Sequence, residues 1–224
     1  MYFADRAEAG RFLAGELARL ERAKDLIVLA LPRGGVPVGY EIARAFRAPL
    51  DVFVVRKLGV PGREELAMGA VASGGTRVLN REIVAALGPK AKEAIEAVSA
   101  REGAEVLRRE EQYRGDRPFP DLDGKTVVLV DDGLATGATM RAAARAVRER
   151  RPAKLIIAVP VAADSTCREM QAEADEVVCA STPEPFFGVG QFYRNFDQTT
   201  DEEVRTLLTR AAEWTGKKEN VPNE

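Results

Sequence analysis

The sequence predicts an α/β fold: a doubly wound, mostly parallel sheet with helices on both faces and a small hood region beside it. Three observations carry that expectation. Residues 26–31, 127–130 and 155–159 are short, continuous apolar runs rich in β-branched residues, the pattern of strands buried on both faces. Between such runs lie stretches of helical periodicity, so that strand and helix alternate from 26 to 179. Neither an internal repeat nor a linker interrupts the 224 residues, which suits a single domain over 1–224 with its core at about 25–180.

In chain order, Asp5 can cap a helix running to about residue 24, with Ala9, Phe12, Leu13, Leu17 and Leu20 on its apolar face. It packs on the sheet edge or against a partner subunit and receives no chemical role. The strand 26–31 runs into Pro32-Arg33-Gly34-Gly35-Val36-Pro37-Val38-Gly39 and then a helix to about 46. Adjacent glycines permit a close backbone approach, so this stretch reads as an ordinary turn or as a ligand loop. A second strand, 50–55, ends in Arg56-Lys57 and a Gly/Pro loop, either a solvated charge pair or an anion clamp. The loop, about 57–66, is expected to be mobile, and its Glu65 could carry a proton. Residues 66–73 and 76–79 read as a hairpin turning at Ser73-Gly74-Gly75-Thr76. Asn80 caps a short helix that stops near Gly88-Pro89. A long charged helix over 90–113 follows, expected at the surface or an interface because Ile95, Val98, Val106 and Leu107 give it only a thin apolar stripe.

The central stretch is Val127-Val128-Leu129-Val130-Asp131-Asp132-Gly133-Leu134-Ala135-Thr136-Gly137-Ala138-Thr139. Two carboxylates stand at a strand's carboxyl end, where open α/β sheets place their ligands. A loop of small and hydroxylic residues follows, and 140–150 reads as a helix rich in Ala and Arg. Such a loop can turn several backbone N–H groups and the hydroxyls of Thr136 and Thr139 onto one anion, with the helix N-terminus adding positive charge. A buried strand at 154–160, a helix that Asp164 can cap and that runs to about 172, and a short strand at 176–179 complete the alternation. Within 186–196 stand Phe186, Phe187, Phe192, Tyr193 and Phe196, either a hydrophobic anchor for the C-terminus or a platform for a planar heterocycle. Thr200 caps a last helix to about 214, so 181–215 is taken as a C-terminal hood and helix, with a frayed tail at 216–224.

Composition narrows the chemistry. With 46% hydrophobic and 30% charged residues the chain is an ordinary globular protein, and a net charge of -2 gives no basic field for nucleic acid. No apolar run approaches ~20 residues and no signal peptide opens the chain, so a cytoplasmic protein off the membrane is expected. Cys167 and Cys179 lack metal-ligand spacing; buried free thiols are expected, with a disulfide left open. Histidine is absent, which removes imidazole bases, Ser-His and Cys-His pairs and His-ligated zinc. Carboxylates, cations, backbone dipoles or a bound metal must carry any reaction.

The strand, acid pair and Ala135-Thr136-Gly137-Ala138-Thr139 loop resemble the 5-phosphoribosyl-1-pyrophosphate (PRPP) motif of type I phosphoribosyltransferases, with Gly133 standing where a larger residue is common. The resemblance implies that Asp131 and Asp132 meet the ribose hydroxyls, directly or alongside Mg²⁺, and that Ala135 through Thr139 wrap the 5′-phosphate. It implies a pyrophosphate loop at Arg33, Gly34 and Gly35, with a strained or cis Arg33-Gly34 peptide, and a pyrophosphate role for Arg56 and Lys57. The Arg56-Lys57 segment looks like that of adenine enzymes, where the pair sometimes acts across a dimer interface; a homodimer is expected. In 6-oxopurine enzymes an aromatic residue stacks on the base where Phe186 or Phe187 stands. Those enzymes also carry an Asp at the position of Ala135 and a lysine on the next strand, which here is Leu155-Ile156-Ile157-Ala158-Val159. Both departures argue against a typical 6-oxopurine enzyme. Over its whole length the chain is similar to the predicted-phosphoribosyltransferase group, whose nitrogen acceptor the resemblance does not disclose. It implies transfer from PRPP to a small nitrogen acceptor, a nucleobase, with Mg²⁺. The alternatives are a PRPP sensor without transfer and a structural protein using the 90–113 helix; intact Arg33, Arg56 and Lys57 favour the enzyme.

Overall fold

A computed structural model describes residues 1–23 and 25–215; the tail expected to fray lies outside the described residues. Five strands, β1 (Leu26–Ala30), β2 (Leu50–Val52), β6 (Thr126–Val130), β7 (Lys154–Val161) and β8 (Glu176–Ser181), form one parallel sheet in the order β2-β1-β6-β7-β8. The apolar runs alternate between two cores, as a two-residue period requires. Val28, Ala30, Val128, Val130, Ile156 and Ala158 face α1 (Arg6–Glu16), α2 (Gly35–Phe46) and α7 (Asp201–Thr215). Ile27, Leu29, Val127, Leu129, Leu155 and Ile157 face α5 (Ala138–Arg148) and α6 (Asp164–Met170). Helices on both faces are why the strands read as unbroken apolar runs.

The small region is a second, antiparallel sheet of β3 (Val55–Val60), β4 (Arg63–Ala72) and β5 (Thr76–Leu79). The hairpin expected at 66–79 is present, but the chain leaves the parallel sheet earlier than expected. Phe53 and Val54 are buried, and Val54 is pinned across the gap by Ser73, whose Oγ accepts its N–H at 2.9 Å. Arg56 and Lys57 therefore stand inside β3 rather than on a loop, and 57–66 is a β-hairpin with its tip at Pro61-Gly62. Between β5 and β6 come α3 (Arg81–Leu87), capped by Asn80 as expected, and α4 (Ala91–Arg114). Ile95, Val98 and Val106 of α4 are buried against β3 and β4, so this helix is the cover of the antiparallel sheet; Leu107 alone of the expected stripe turns outward.

Three further expectations change. The first helix ends at Glu16 and continues only as a 3₁₀ turn, Ala18–Arg22. Asp164 is the first residue of α6 rather than its cap. Cys167 and Cys179 are joined in a disulfide, because α6 folds back beside β8 and sets their Cα atoms 6.5 Å apart, a tertiary approach that a spacing of 12 residues does not disclose. No described helix is long and apolar enough to cross a membrane.

Candidate active site

From β1 the chain proceeds to β2 on one side, and from β6 to β7 and β8 on the other. The junction of β1 and β6 is thus the switch point of the sheet, where the loops beyond the strands diverge and leave a crevice. The Arg33 loop leaves β1 there, and Asp131-Asp132 leave β6 beside it; the N–H of Leu31 donates to the Val130 carbonyl at 2.8 Å, tying the two exits together.

Their contact leaves no room for side chains in the glycine pair. A Cβ on Gly34 would lie 2.0 Å from Asp132 Oδ2, and one on Gly35 would lie 2.7 Å from the Val130 carbonyl oxygen. Close approach, rather than an unusual φ, explains both glycines: Gly34 has an ordinary helical φ of -60°. The non-proline cis peptide expected in this loop lies one bond earlier than expected, at Pro32–Arg33. Gly34→Ala should weaken binding of an anionic sugar ligand by at least about tenfold, because Asp132 must abandon its position. Calorimetry with PRPP beside a thermal melt checks this, and wild-type affinity in a folded variant would refute it.

The loop after the acid pair is held from behind and open in front. Leu134 bridges to Ala162 at the end of β7, and Thr166 of α6 donates its hydroxyl to the Ala135 carbonyl at 2.7 Å. Gly137 takes a left-handed φ of 68° against Thr166 and Met170 and starts α5. Ala135, Thr136, Ala138 and Thr139 remain exposed at that helix N-terminus, the disposition an anion cradle needs. Gly133 has its own reason. A Cβ there would meet Val189 of the C-terminal segment at 2.5 Å, so a larger residue is excluded by this chain's own packing.

The acids are crowded. Asp131 Oδ1 accepts the Asp132 N–H at 2.8 Å. Burial, reinforced by the neighbouring Asp132 charge, pushes the Asp131 carboxyl well above the ordinary carboxylate range. Burial also raises Asp132, against the pull of Arg6, whose Nε donates to Asp132 Oδ2 at 2.8 Å. Two confined carboxylates that resist ionising together suit a hard cation, and Mg²⁺ typically takes one or two carboxylates with water and substrate phosphates. No cluster of three or more potential metal-ligating residues occurs among the described residues, so a metal here would rely on ligand oxygens.

A cavity of about 460 Å³ opens from Gly34 and Asp132 towards α4 and the start of α7. Arg6, Arg33, Arg108 and Arg109 line it. Arg33 stands 3.6 Å from Asp201, which also accepts the Tyr113 hydroxyl at 2.6 Å. Burial first, and then that bond, pushes the Tyr113 phenol up to about 12. Arg6, Arg108 and Arg109 receive no role from sequence; single arginines on charged helices look like solvated faces until the helices are packed.

The expected cations are not brought together. Residues adjacent on a strand point to opposite faces. Arg56 turns to α4 and meets Glu102 at 2.9 Å, whereas Lys57 turns towards α5, 3.7 Å from Glu65. Lys57 lines a separate cavity of about 400 Å³ with Thr139, Arg141 and Arg145. Neither lines the cavity that holds Arg33 and Asp132. The two phenylalanines also part company: Phe187 is 86% exposed, while Phe186 stacks on Phe192 at 5.5 Å and edges an open depression of about 610 Å³ beyond β7 and β8.

The sequence pattern of the phosphoribosyl transferase domain matches residues 4–196. Two Mycobacterium tuberculosis proteins, from strains CDC 1551 and H37Rv, each named "Putative phosphoribosyl transferase", are 49% identical over 209 residues, 93% of this chain and 47% of theirs. The chain therefore spans about half the length of these curated relatives. The crystal structure of TT1426 from Thermus thermophilus is similar with a TM-score of 0.85 at 42% identity, over 94% of this chain and 99% of that one. The Chloroflexus aurantiacus bifunctional protein PyrR is 34% identical over 148 residues, 65% of this chain and 74% of that protein.

Proposed function

The chain belongs to the phosphoribosyl transferase family, and we propose that it transfers the 5-phosphoribosyl group from PRPP to a nitrogen acceptor, a nucleobase, releasing pyrophosphate with Mg²⁺. One observation carries the proposal: at the β1/β6 switch point the Gly34–Gly35 loop packs against the acid pair, and the loop that presents Ala135, Thr136, Ala138 and Thr139 to solvent follows those acids directly in the chain. In the reaction the bond from the anomeric carbon to the pyrophosphate oxygen breaks and its electron pair leaves with pyrophosphate. A bond from the acceptor nitrogen to that carbon forms, and the acceptor's proton is given up to solvent or buffer. Asp131 and Asp132 accept the ribose hydroxyls, and the cradle's N–H groups with Thr136 and Thr139 hold the 5′-phosphate, so the ribose is fixed in line. Arg33 and the Gly34–Gly35 loop face the departing pyrophosphate. A bound Mg²⁺ would neutralise part of the pyrophosphate charge. A planar acceptor would stack on Phe186, a reading supported by that ring's place at the edge of a depression beyond β7 and β8, with the exposed Phe187 outside it.

The separation of Arg56 and Lys57 from the Arg33 cavity supports two refinements. In one, the protein is a cytoplasmic homodimer and the β3 pair serves the partner's crevice. In the other, it is a PRPP sensor that binds without transfer. Pyrophosphate release from Mg²⁺-PRPP across a panel of purine, pyrimidine and other nitrogen acceptors, beside PRPP calorimetry, separates transfer from sensing. Release with one acceptor is expected. Binding without release assigns the sensor, and no binding overturns the proposal.

A further inference from the structure

We propose that Arg6 is the positioning residue of the acid pair, holding the Asp132 carboxylate where it meets the ribose diol; this rests on the diol role given to Asp132 above. Arg6 comes from a helix outside the sheet and loops that form the crevice. It is delivered by a short stitching of residues 3–4 to residues 192–195. The N–H of Phe3 donates to the Phe192 carbonyl at 2.9 Å, that of Arg194 to Phe3 at 2.8 Å and that of Asn195 to Ala4 at 2.9 Å. Asp5 then caps α1 through the Glu8 N–H, which fixes Arg6 as the first residue of the helix.

From that place one rigid guanidinium makes three directed contacts. Its Nε donates to Asp132 Oδ2 at 2.8 Å, a terminal nitrogen donates to the Asp197 carbonyl at 2.7 Å, and its Cζ lies over the Phe196 ring, 4.0 Å from the ring centre. Phe196 stacks on Tyr193 at 5.0 Å, and the Tyr193 hydroxyl donates to the Asp132 carbonyl at 2.7 Å. The ring closes on itself: the side chain and main chain of Asp132 are both held from the stitched segments. Two of the five clustered aromatic residues thus support an acid rather than a base. The Arg6 side chain is only 12% exposed, so its contacts are with the protein, and it commits one carboxylate oxygen while further lone pairs stay available to hydroxyls. A diol acceptor must be placed to within about half an ångström to be effective, and Asp132 lies beside a second carboxylate that would otherwise repel it.

The test is calorimetry of Mg²⁺-PRPP and of Mg²⁺-pyrophosphate on the whole chain, wild type against Arg6→Gln and Arg6→Lys, with thermal melts. Arg6→Gln is expected to weaken PRPP binding about 10–100-fold, while pyrophosphate, which has no diol, binds within twofold of wild type. Arg6→Lys should recover only part of the loss, since an ammonium reproduces neither the planar fork to Asp132 and Asp197 nor the flat face over Phe196, and it serves alone if the glutamine variant does not fold. PRPP binding unchanged in Arg6→Gln would overturn the proposal. So would full recovery in Arg6→Lys, which assigns charge alone, or an equal loss for pyrophosphate, which makes Arg6 a direct anion contact or a general support. A wild type that binds pyrophosphate but not PRPP would sink the diol reading itself, and Arg6's role with it.

Discussion

Asp132→Asn is expected to lower kcat/KM for PRPP about 10²–10³-fold, the loss seen when one preorganised polar group is removed from an active site, and to do so in a protein that still folds. Asn keeps the shape and can still accept from Arg6, so the stitched segments persist; the charge that would meet the diol and a cation is gone. Asp131→Asn should cost turnover similarly while raising the thermal midpoint at pH 7 by a few degrees. The sign follows from the raised carboxyl of Asp131. A group whose folded-state value lies above its unfolded one holds its proton in the native protein after the unfolded chain has lost it. Its contribution is therefore fully present below the unfolded value, about 3.9, and is lost as pH rises through the folded one. At neutral pH, above the unfolded value, the native state bears the cost of this raised carboxyl, and Asn removes it. The gain in midpoint should shrink as the pH is lowered towards 4. Melts of both variants from pH 4 to 8, beside PRPP kinetics, check the two halves separately. Wild-type turnover in both variants would remove the acid pair from the mechanism, and a midpoint difference for Asp131→Asn that ignores pH would remove the electrostatic account.

What can be read from sequence follows from how local the determinants are. The apolar runs at β1, β6 and β7 are legible because burial on both faces erases alternation. The acid pair and cradle are legible because strand, carboxylates, small residues and helix are contiguous from Val127 to Arg148. Gly34 and Gly35 announce a close approach, though only the fold shows that they approach Asp132 and Val130. The cations are illegible for a different reason, since their place depends on which sheet or face a residue joins. Arg56 and Lys57 read as a pair because they are neighbours in the chain, and a two-residue period in β3 sends them to different helices. Arg6 is invisible because its partner is 126 residues away and the link runs through backbone bonds between residues 3–4 and 192–195. The 186–196 aromatic residues carry both readings at once, and the structure divides them: Phe192, Tyr193 and Phe196 anchor, while Phe186 and Phe187 lie nearer the open edge.

Replacing Arg114 with Met should destabilise the protein by about 3–5 kcal/mol, the cost of breaking a buried ion pair from one side. The last residue of α4 is nearly fully enclosed, its side chain only 4% exposed. Its Nε donates to both carboxylate oxygens of Asp51 on β2 at 3.0 and 3.1 Å, and its terminal nitrogens donate to Glu110 at 3.0 Å and to the Val52 carbonyl at 3.2 Å. Met fills much of the same volume, so what is lost is charge and hydrogen bonding rather than packing. Asp51 and Glu110 would be left buried without their shared cation. Burial already raises the Asp51 carboxyl against the opposing pull of Arg114. Without that pull it rises further, so the deficit of the variant should be smaller at pH 5 than at pH 8, where the unpaired acid must ionise. Urea unfolding at both values measures this, and Arg114→Met combined with Asp51→Leu and Glu110→Leu should regain most of the loss, since a packed apolar trio needs no counter-charge. Equal deficits at both pH values, with no recovery in the triple variant, would mean that Arg114 acts by shape. Function should follow stability here. Arg108 and Arg109 sit one to two turns before the anchor and line the cavity beside Asp132, so freeing the end of α4 from β2 should also weaken PRPP binding in the fraction that remains folded.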